Sequence, residues 1–305
     1  MRHLSTFEHR ALRGIVRAAA TLLVLAALAG PARADPPLAI VVGDSIAREY
    51  PIDYYGWNIE GWGYFLAQHL SQGLTWRNDA IGSQSTKSFI AEGHWANTIA
   101  AHPQYIFIQF GLGDESGVDG LATDPETDFR ANLHQMITDA RGVGAVPILV
   151  TPPVIRWAYA GSNDLGRPNG LEDWVTAMLE QAAADNVGFV DMQGWSGRVC
   201  DSMGLAMYQQ LYGFIIPEGP WPIPGGTVDE LHFSHYGADQ AALMIIDRLK
   251  TIQPELVTHL TPPPVPAPVP ALPGPLWKLV VCGALLGALS AAAARGSSSR
   301  RARPS

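Results

Sequence analysis

A serine closing an apolar run and, far along the chain, an aspartate three residues before a histidine are the groups in this 305-residue sequence equipped for covalent catalysis. Ile40-Val41-Val42 stops at Gly43-Asp44-Ser45, which reads as a buried strand ending in a tight turn that lifts the Ser45 hydroxyl out at the strand's carboxyl end. In an open parallel sheet that edge is where ligands bind. A serine hydroxyl is a weak nucleophile and needs a base held by a third group. Asp229-Glu230-Leu231-His232 supplies both. In a tight turn this spacing brings the two side chains to one side, so the carboxylate can hold Nδ1–H of His232 and leave Nε2 facing Ser45. Each motif alone has a plainer reading, a polar turn for Gly-Asp-Ser and a helix cap for Asp-x-x-His. Their joint presence makes acyl transfer the chemistry to look for. His232 and His235 also make a pair of imidazoles, but no third ligand stands at a sensible spacing, so a metal is not expected.

The elements that must position these groups follow from the pattern of apolar residues. Leu38–Val42, Thr75–Ala80, Tyr105–Phe110, Val146–Thr151 and Val187–Asp191 predict five short strands. Gly63–Gln72, Ser88–Ala101, Asp128–Gly142, Leu171–Asp185 and Tyr236–Lys250 predict helices between and after them. Phe129, Leu133, Met136 and Ile137 share one face, which should pack on the sheet. Alternation of strand and helix implies an α/β fold with a parallel sheet covered on both sides. Gly82 follows the second strand, where a backbone N–H can meet a developing oxyanion beside the N–H of Ser45; a plain Gly-Ser turn is the other reading. Ser196–Thr227, rich in Gly, Pro, Tyr and Trp, reads as a long irregular insertion able to wall a cleft.

The two ends read as something other than fold. Residues 1–34 carry Arg2, Arg10, Arg13 and Arg17, an apolar run from Ala18 to Leu28 and Ala32-Arg33-Ala34, the pattern of a signal peptide. Residues 35–260 form the expected domain, and 261–275 a proline-rich spacer. Leu276–Ala294 is apolar apart from Lys278 and is followed by Arg295, Arg300, Arg301 and Arg303, marginally long enough to cross a bilayer with the arginines on the cytoplasmic side. Between residues 35 and 261 there are 10 Lys plus Arg against 27 Asp plus Glu, a net charge of −17 with His neutral. That balance argues against nucleic acid as a partner and makes a polyanionic substrate awkward without a local basic patch. Cys200 is the one thiol of this domain, so its core must be hydrophobic and not disulfide-held.

Gly43-Asp44-Ser45, Gly82 and Asp229-x-x-His232, in this order on successive strand ends, resemble blocks one, two and five of the SGNH (GDSL) hydrolases. Further likeness to their rhamnogalacturonan acetylesterase branch lies in Gly61-Trp62-Gly63, Arg77-Asn78-Asp79-Ala80, Ser85-Thr86-Lys87-Ser88-Phe89, Val150-Thr151-Pro152-Pro153 with Arg156, and His232-Phe233-Ser234 before Tyr236-Gly237-Ala238. The resemblance implies a flavodoxin-like three-layer α/β/α sandwich with a five-stranded parallel sheet. It also implies Ser45, His232 and Asp229 as catalytic residues, a serine esterase mechanism without metal or cofactor, and acetylated plant polysaccharide as substrate. The absence of Gly-x-Ser-x-Gly separates the chain from α/β-hydrolases.

Block three departs from the pattern. The branch commonly has Phe-Gly-His-Asn-Asp, whose Asn amide completes the oxyanion hole, whereas here Phe110-Gly111-Leu112-Gly113-Asp114 leaves Gly113 without a side chain to donate. Either a neighbour such as Gln84, or a water resting on Gly113, substitutes, or hydrolysis is weak and the protein chiefly binds glycan. Trp57, Trp62, Trp157, Trp195 and Trp221 are candidates to stack on sugar rings. The tail resembles a PEP-CTERM sorting signal, with Val269-Pro270-Ala271-Leu272-Pro273 in place of a literal Pro-Glu-Pro. That likeness implies export in a Gram-negative bacterium and an exosortase-like transpeptidase that removes the tail. The expectation is a secreted or surface-displayed acetylesterase, with a glycan-binding protein or a lipid or thioester hydrolase as rivals.

Overall fold

The computed structural model of the chain describes residues 35–51, 59–154, 170–212 and 231–261, the side chains of 203–209 excepted. Strands β1 (Leu38–Gly43), β2 (Thr75–Asn78), β3 (Tyr105–Gln109), β4 (Val146–Val150) and β5 (Gly188–Val190) make one parallel sheet in the order β2-β1-β3-β4-β5. The helices are α1 (Trp62–His69), α2 (Thr86–Ala91), α3 (His94–Ile99), α4 (Leu112–Glu115), α5 (Arg130–Gly142, entered through a π turn at Pro125–Phe129), α6 (Glu172–Ala184), α7 (Met192–Leu211), α8 (His235–Ile252) and α9 (Pro254–Val257).

Strands buried on both faces read as unbroken apolar runs because alternate side chains enter different cores. In β1, Ala39 and Val41 join Trp62 and Leu66 of α1, Leu70 just past its end, and Ala241, Ile245 and Leu249 of α8. Ile40 and Val42 point the other way, into a core with Phe89 of α2, Trp95 of α3, Met178 of α6 and the Phe129, Leu133, Met136 and Ile137 face. The result is the expected α/β/α sandwich. Successive strands run outward from β1 to β2, then back across to β3, β4 and β5, so the order reverses between β1 and β3. A crevice opens beyond the carboxyl ends of strands at such a reversal, which is where Ser45 and Gly113 stand.

Two expected elements differ. The helix predicted over Ser88–Ala101 is two helices, α2 and α3, separated at Gly93, whose φ of +81° leaves the helical region. The irregular insertion predicted from Ser196 is helical as far as Leu211. Gly194, Gly197 and Gly204 lower its intrinsic propensity, but Met192, Cys200 and Leu211 are buried in the core shared with α8, and that packing sets the conformation. Among the described residues no helix is long and apolar enough to cross a membrane. Residues 1–34, the proline-rich spacer, Leu276–Ala294 and the arginine tail lie outside the described residues, as do Asp229, Arg156, Trp57, Trp157 and Trp221.

Candidate active site

The turn that carries Ser45 is fixed by a buried carboxylate. Asp44 accepts the N–H of Ile46 at 2.9 Å, closing a turn on its own backbone, and accepts Nε2–H of Gln109 at 3.1 Å from the end of β3. Burial pushes the Asp44 carboxyl up to about 7, against the pull of those two hydrogen bonds and of His232. Ser45 follows Asp44 out of the strand and is only partly covered. Its hydroxyl lies 2.9 Å from Nε2 of His232, the separation a serine and its general base require.

His232 reaches this place because the segment after it is anchored. Phe233 is fully buried and stacked on Tyr212 with ring centroids 5.0 Å apart. Ser234 caps α8 by accepting the N–H of Gly237 at 3.0 Å, donates its own N–H to the Leu211 carbonyl at 2.8 Å, and forms an isolated antiparallel bridge with Ile59. His235 turns elsewhere, its ring 6.2 Å from that of Phe65, so the two imidazoles do not converge.

The β2 loop is tied to the Ser45 turn at two points. Ile81 donates its N–H to the Gly43 carbonyl at 3.0 Å, and Asn78 Nδ2 donates to the Ala47 carbonyl at 2.9 Å. Gly82 therefore comes to Ser45. A side chain at Gly82 would begin 3.8 Å from Ser45 Cβ and 3.4 Å from Arg48 Nη1, inside the cavity itself. Among the described residues neither the N–H of Ser45 nor that of Gly82 donates to another protein atom, which leaves both for a ligand. Ser83, next along, has φ +63°, backbone strain of the kind that collects at functional loops.

Gly113 is present at the same cavity, in α4. It has no room for a side chain: a Cβ there would stand 2.4 Å from the carbonyl oxygen of Gln84. Gln84 does not replace the missing donor: it is not among the residues lining the cavity, and its side chain is turned onto Glu92, to which Nε2 donates at 3.0 Å, and onto Ser88, whose Oγ donates to its carbonyl oxygen. Asp114 is buried and receives the N–H and hydroxyl of Thr86 and the hydroxyl of Thr123, which pins α4 to the start of α2; burial raises its carboxyl to about 6.

Ser45, Gly82, Gly113 and His232 line a cavity of about 540 Å³ with Arg48, Tyr50, Ile59, Leu112, Val118, Leu121 and Leu231. Arg48 and Tyr50 have no part in the sequence reading, although both follow Ser45 within five positions. Tyr50 donates its hydroxyl to the Ser45 carbonyl at 3.0 Å, sets its ring edge-on to His232 at 6.2 Å, and carries the Arg48 guanidinium 5.1 Å from its ring centroid. Its backbone N–H is held by Glu60, whose buried carboxyl is raised to about 7 and also accepts the N–H of Gly61. Trp62 does not face the cavity: it is fully buried against Phe107 with Nε1 toward Gln109, so sugar stacking is ruled out for it. Trp195 packs against the core on the α7 side.

The chain is 30% identical over 215 residues to "Probable rhamnogalacturonan acetylesterase YesY" of Bacillus subtilis, covering 70% of this chain and 92% of that protein. It is 29% identical over 229 residues to "Rhamnogalacturonan acetylesterase RhgT" of the same organism, covering 74% and 94%. The crystal structure of the Bacillus subtilis protein YXIM shares the fold with a TM-score of 0.56 at 22% identity, over 70% of this chain and 56% of that one. Residues 41–240 match the GDSL-like lipase/acylhydrolase family, and with Ser45 and His232 in contact at the family's strand ends, the chain belongs to that family.

Proposed function

We propose that the protein is an exported serine esterase that removes acetyl groups from carbohydrate. Family membership places it among the acylhydrolases, and two of its relatives are named as rhamnogalacturonan acetylesterases. The observation that carries the serine mechanism is the 2.9 Å approach of His232 Nε2 to Ser45 Oγ in the wall of an open cavity.

In this reading His232 takes the hydroxyl proton as Ser45 Oγ bonds to the acetyl carbonyl carbon, and the carbonyl electron pair moves onto oxygen. The N–H groups of Ser45 and Gly82 hold that oxyanion. Collapse breaks the bond to the sugar oxygen, which leaves with the proton from His232. Water repeats the sequence on the acyl-enzyme and releases acetate. Asp229 orients the imidazole through Nδ1. Residues 1–34 direct export, and residues 276–305 either hold the protein at a membrane or are cut away there by a processing enzyme. The substrate is an acetylated polysaccharide, as the names of the two relatives suggest.

Acetate release from 4-nitrophenyl acetate and from acetylated pectin, by wild type and Ser45→Ala, tests the proposal. Loss of at least about 10³-fold in kcat is expected, together with loss of labelling by a fluorophosphonate. Equal rates would end the serine mechanism. Retention of glycan by a wild type that neither turns over nor labels would make it a binding protein, and a rate that climbs with acyl chain length would make it a lipid hydrolase.

A further inference from the structure

We propose that Arg48 is the third donor of the oxyanion hole, standing in for the side chain that Gly113 lacks. The inference rests on the serine-esterase reading above and adds to it the residue that completes charge stabilisation. Three observations converge on it. Residue 113 can carry no donor, since a Cβ there would stand 2.4 Å from the Gln84 carbonyl oxygen. The Gln84 amide is turned onto Glu92 and Ser88 of the α2 segment. Arg48 Nη1 and Ser45 Cβ, by contrast, both lie within 4 Å of one point, the position a side chain at Gly82 would take, at 3.4 and 3.8 Å respectively.

That point belongs to Gly82, whose N–H is one of the two donors assigned to the oxyanion, and it lies beside Ser45, which carries the other, so the guanidinium neighbours both residues that would hold a bound carbonyl oxygen. A guanidinium presents five N–H donors in a planar fork, so one nitrogen can serve the substrate while others serve the protein. It is also held in place in advance. Its Cζ lies over the Tyr50 ring, 5.1 Å from the centroid, and the Tyr50 hydroxyl is bonded to the Ser45 carbonyl at 3.0 Å, so cation, brace and nucleophile belong to one turn. A donor fixed before the reaction, and charged, stabilises charge that develops only in the transition state.

The test uses the folded protein with 4-nitrophenyl acetate, which has no carboxylate or sugar for Arg48 to recognise. Arg48→Ala is expected to lower kcat by roughly 10²–10³-fold with KM within about threefold. Added guanidinium chloride at a non-denaturing concentration should restore part of the rate, and fluorophosphonate labelling should slow in parallel, because the phosphoryl oxygen occupies the same hole. Arg48→Lys, which keeps the charge and loses the fork, should fall between the two. If Arg48→Ala does not fold, Arg48→Lys decides: a reduced kcat at the wild-type melting temperature supports the proposal, and a wild-type kcat overturns it. A wild-type kcat in Arg48→Ala overturns it as well, and so does an effect confined to KM for acetylated pectin, which would assign Arg48 to holding substrate. Ser45→Ala separates the two levels: an inactive Ser45→Ala beside a fully active Arg48→Ala leaves the esterase standing and removes only this inference, whereas an active Ser45→Ala removes both.

Discussion

Replacing Gly113 by Asn would restore the side chain that the family resemblance leads one to expect, and the structure predicts that the replacement makes the protein worse. The Cβ of residue 113 would stand 2.4 Å from the carbonyl oxygen of Gln84, 2.8 Å from its carbonyl carbon and 3.0 Å from Ser85 N. All three are backbone atoms, and that backbone is pinned by the reciprocal cap in which Ser85 N donates to Ser88 Oγ at 2.9 Å and Ser88 N to Ser85 Oγ at 3.2 Å. Overfilling of this kind costs about 1–3 kcal/mol. For a domain of this size each kcal/mol lowers Tm by about 2–4 °C, so a fall of about 2–12 °C is expected. Moving Gln84 also drags Gly82, two residues before it, and a displacement of about 1 Å at the reacting centre costs on the order of 10²-fold in rate. Thermal melting and kcat on 4-nitrophenyl acetate, measured on the same preparation, decide the matter. A rise in kcat at an unchanged Tm would show that the asparagine fits and donates, and would refute both the crowding argument and the need for Arg48.

Gly82→Ala should behave in the opposite way: its methyl group would meet Arg48 Nη1 at 3.4 Å and Ser45 Cβ at 3.8 Å, close to ordinary contact, so Tm should move by less than about 2 °C. The same methyl fills the space beside the oxyanion, so kcat should drop by at least about 10-fold; a collapse in Tm with undiminished turnover would make Gly82 structural. Stability should fall as pH rises from about 4 to about 7, because burial lifts Asp44 and Glu60 to about 7 and Asp114 to about 6. In that window the folded chain binds protons that the unfolded chain has released, at a slope of about 1.4 kcal/mol per pH unit for each group. The contribution is complete below the ordinary carboxylate range and gone above the raised values, so a Tm that climbs steadily between pH 5 and 8 would contradict it.

The fold was legible because parallel strands buried on both faces leave unbroken runs of Val, Ile and Phe, and each predicted strand lies within two residues of the observed one at either end. Helix α7 was not legible: its glycines and small residues carry little periodic signal, and only contact with α8 makes it a helix. Of the site, Ser45, Gly82 and His232 were readable as types at spacings that acyl transfer needs, and the structure brings these three together. Arg48 and Tyr50 escaped because an arginine and a tyrosine in a polar turn have no pattern of their own. The signal available was position, since a turn that exposes a nucleophile also presents the residues three and five places on to the same cavity.

The glycine at 113 and the posture of Gln84 are a single feature seen from two loops. Gln84 folds its side chain back onto Ser88 and Glu92, with both its oxygen and its nitrogen engaged. That posture lays its backbone carbonyl against α4 so closely that only a residue without Cβ can face it. The donor lost from α4 therefore has no replacement in the Gln84 side chain. Of the sheet-edge loops that meet Ser45 among the described residues, the remaining one with a cationic donor in the cavity is the nucleophile's own turn. Arg48 sits there three residues after the serine, braced on a tyrosine bonded to the serine's carbonyl. Stabilisation of the oxyanion then moves from a neutral amide on a neighbouring strand end to a charge on the turn that carries the attack, a placement that ties the two functions to one segment of backbone.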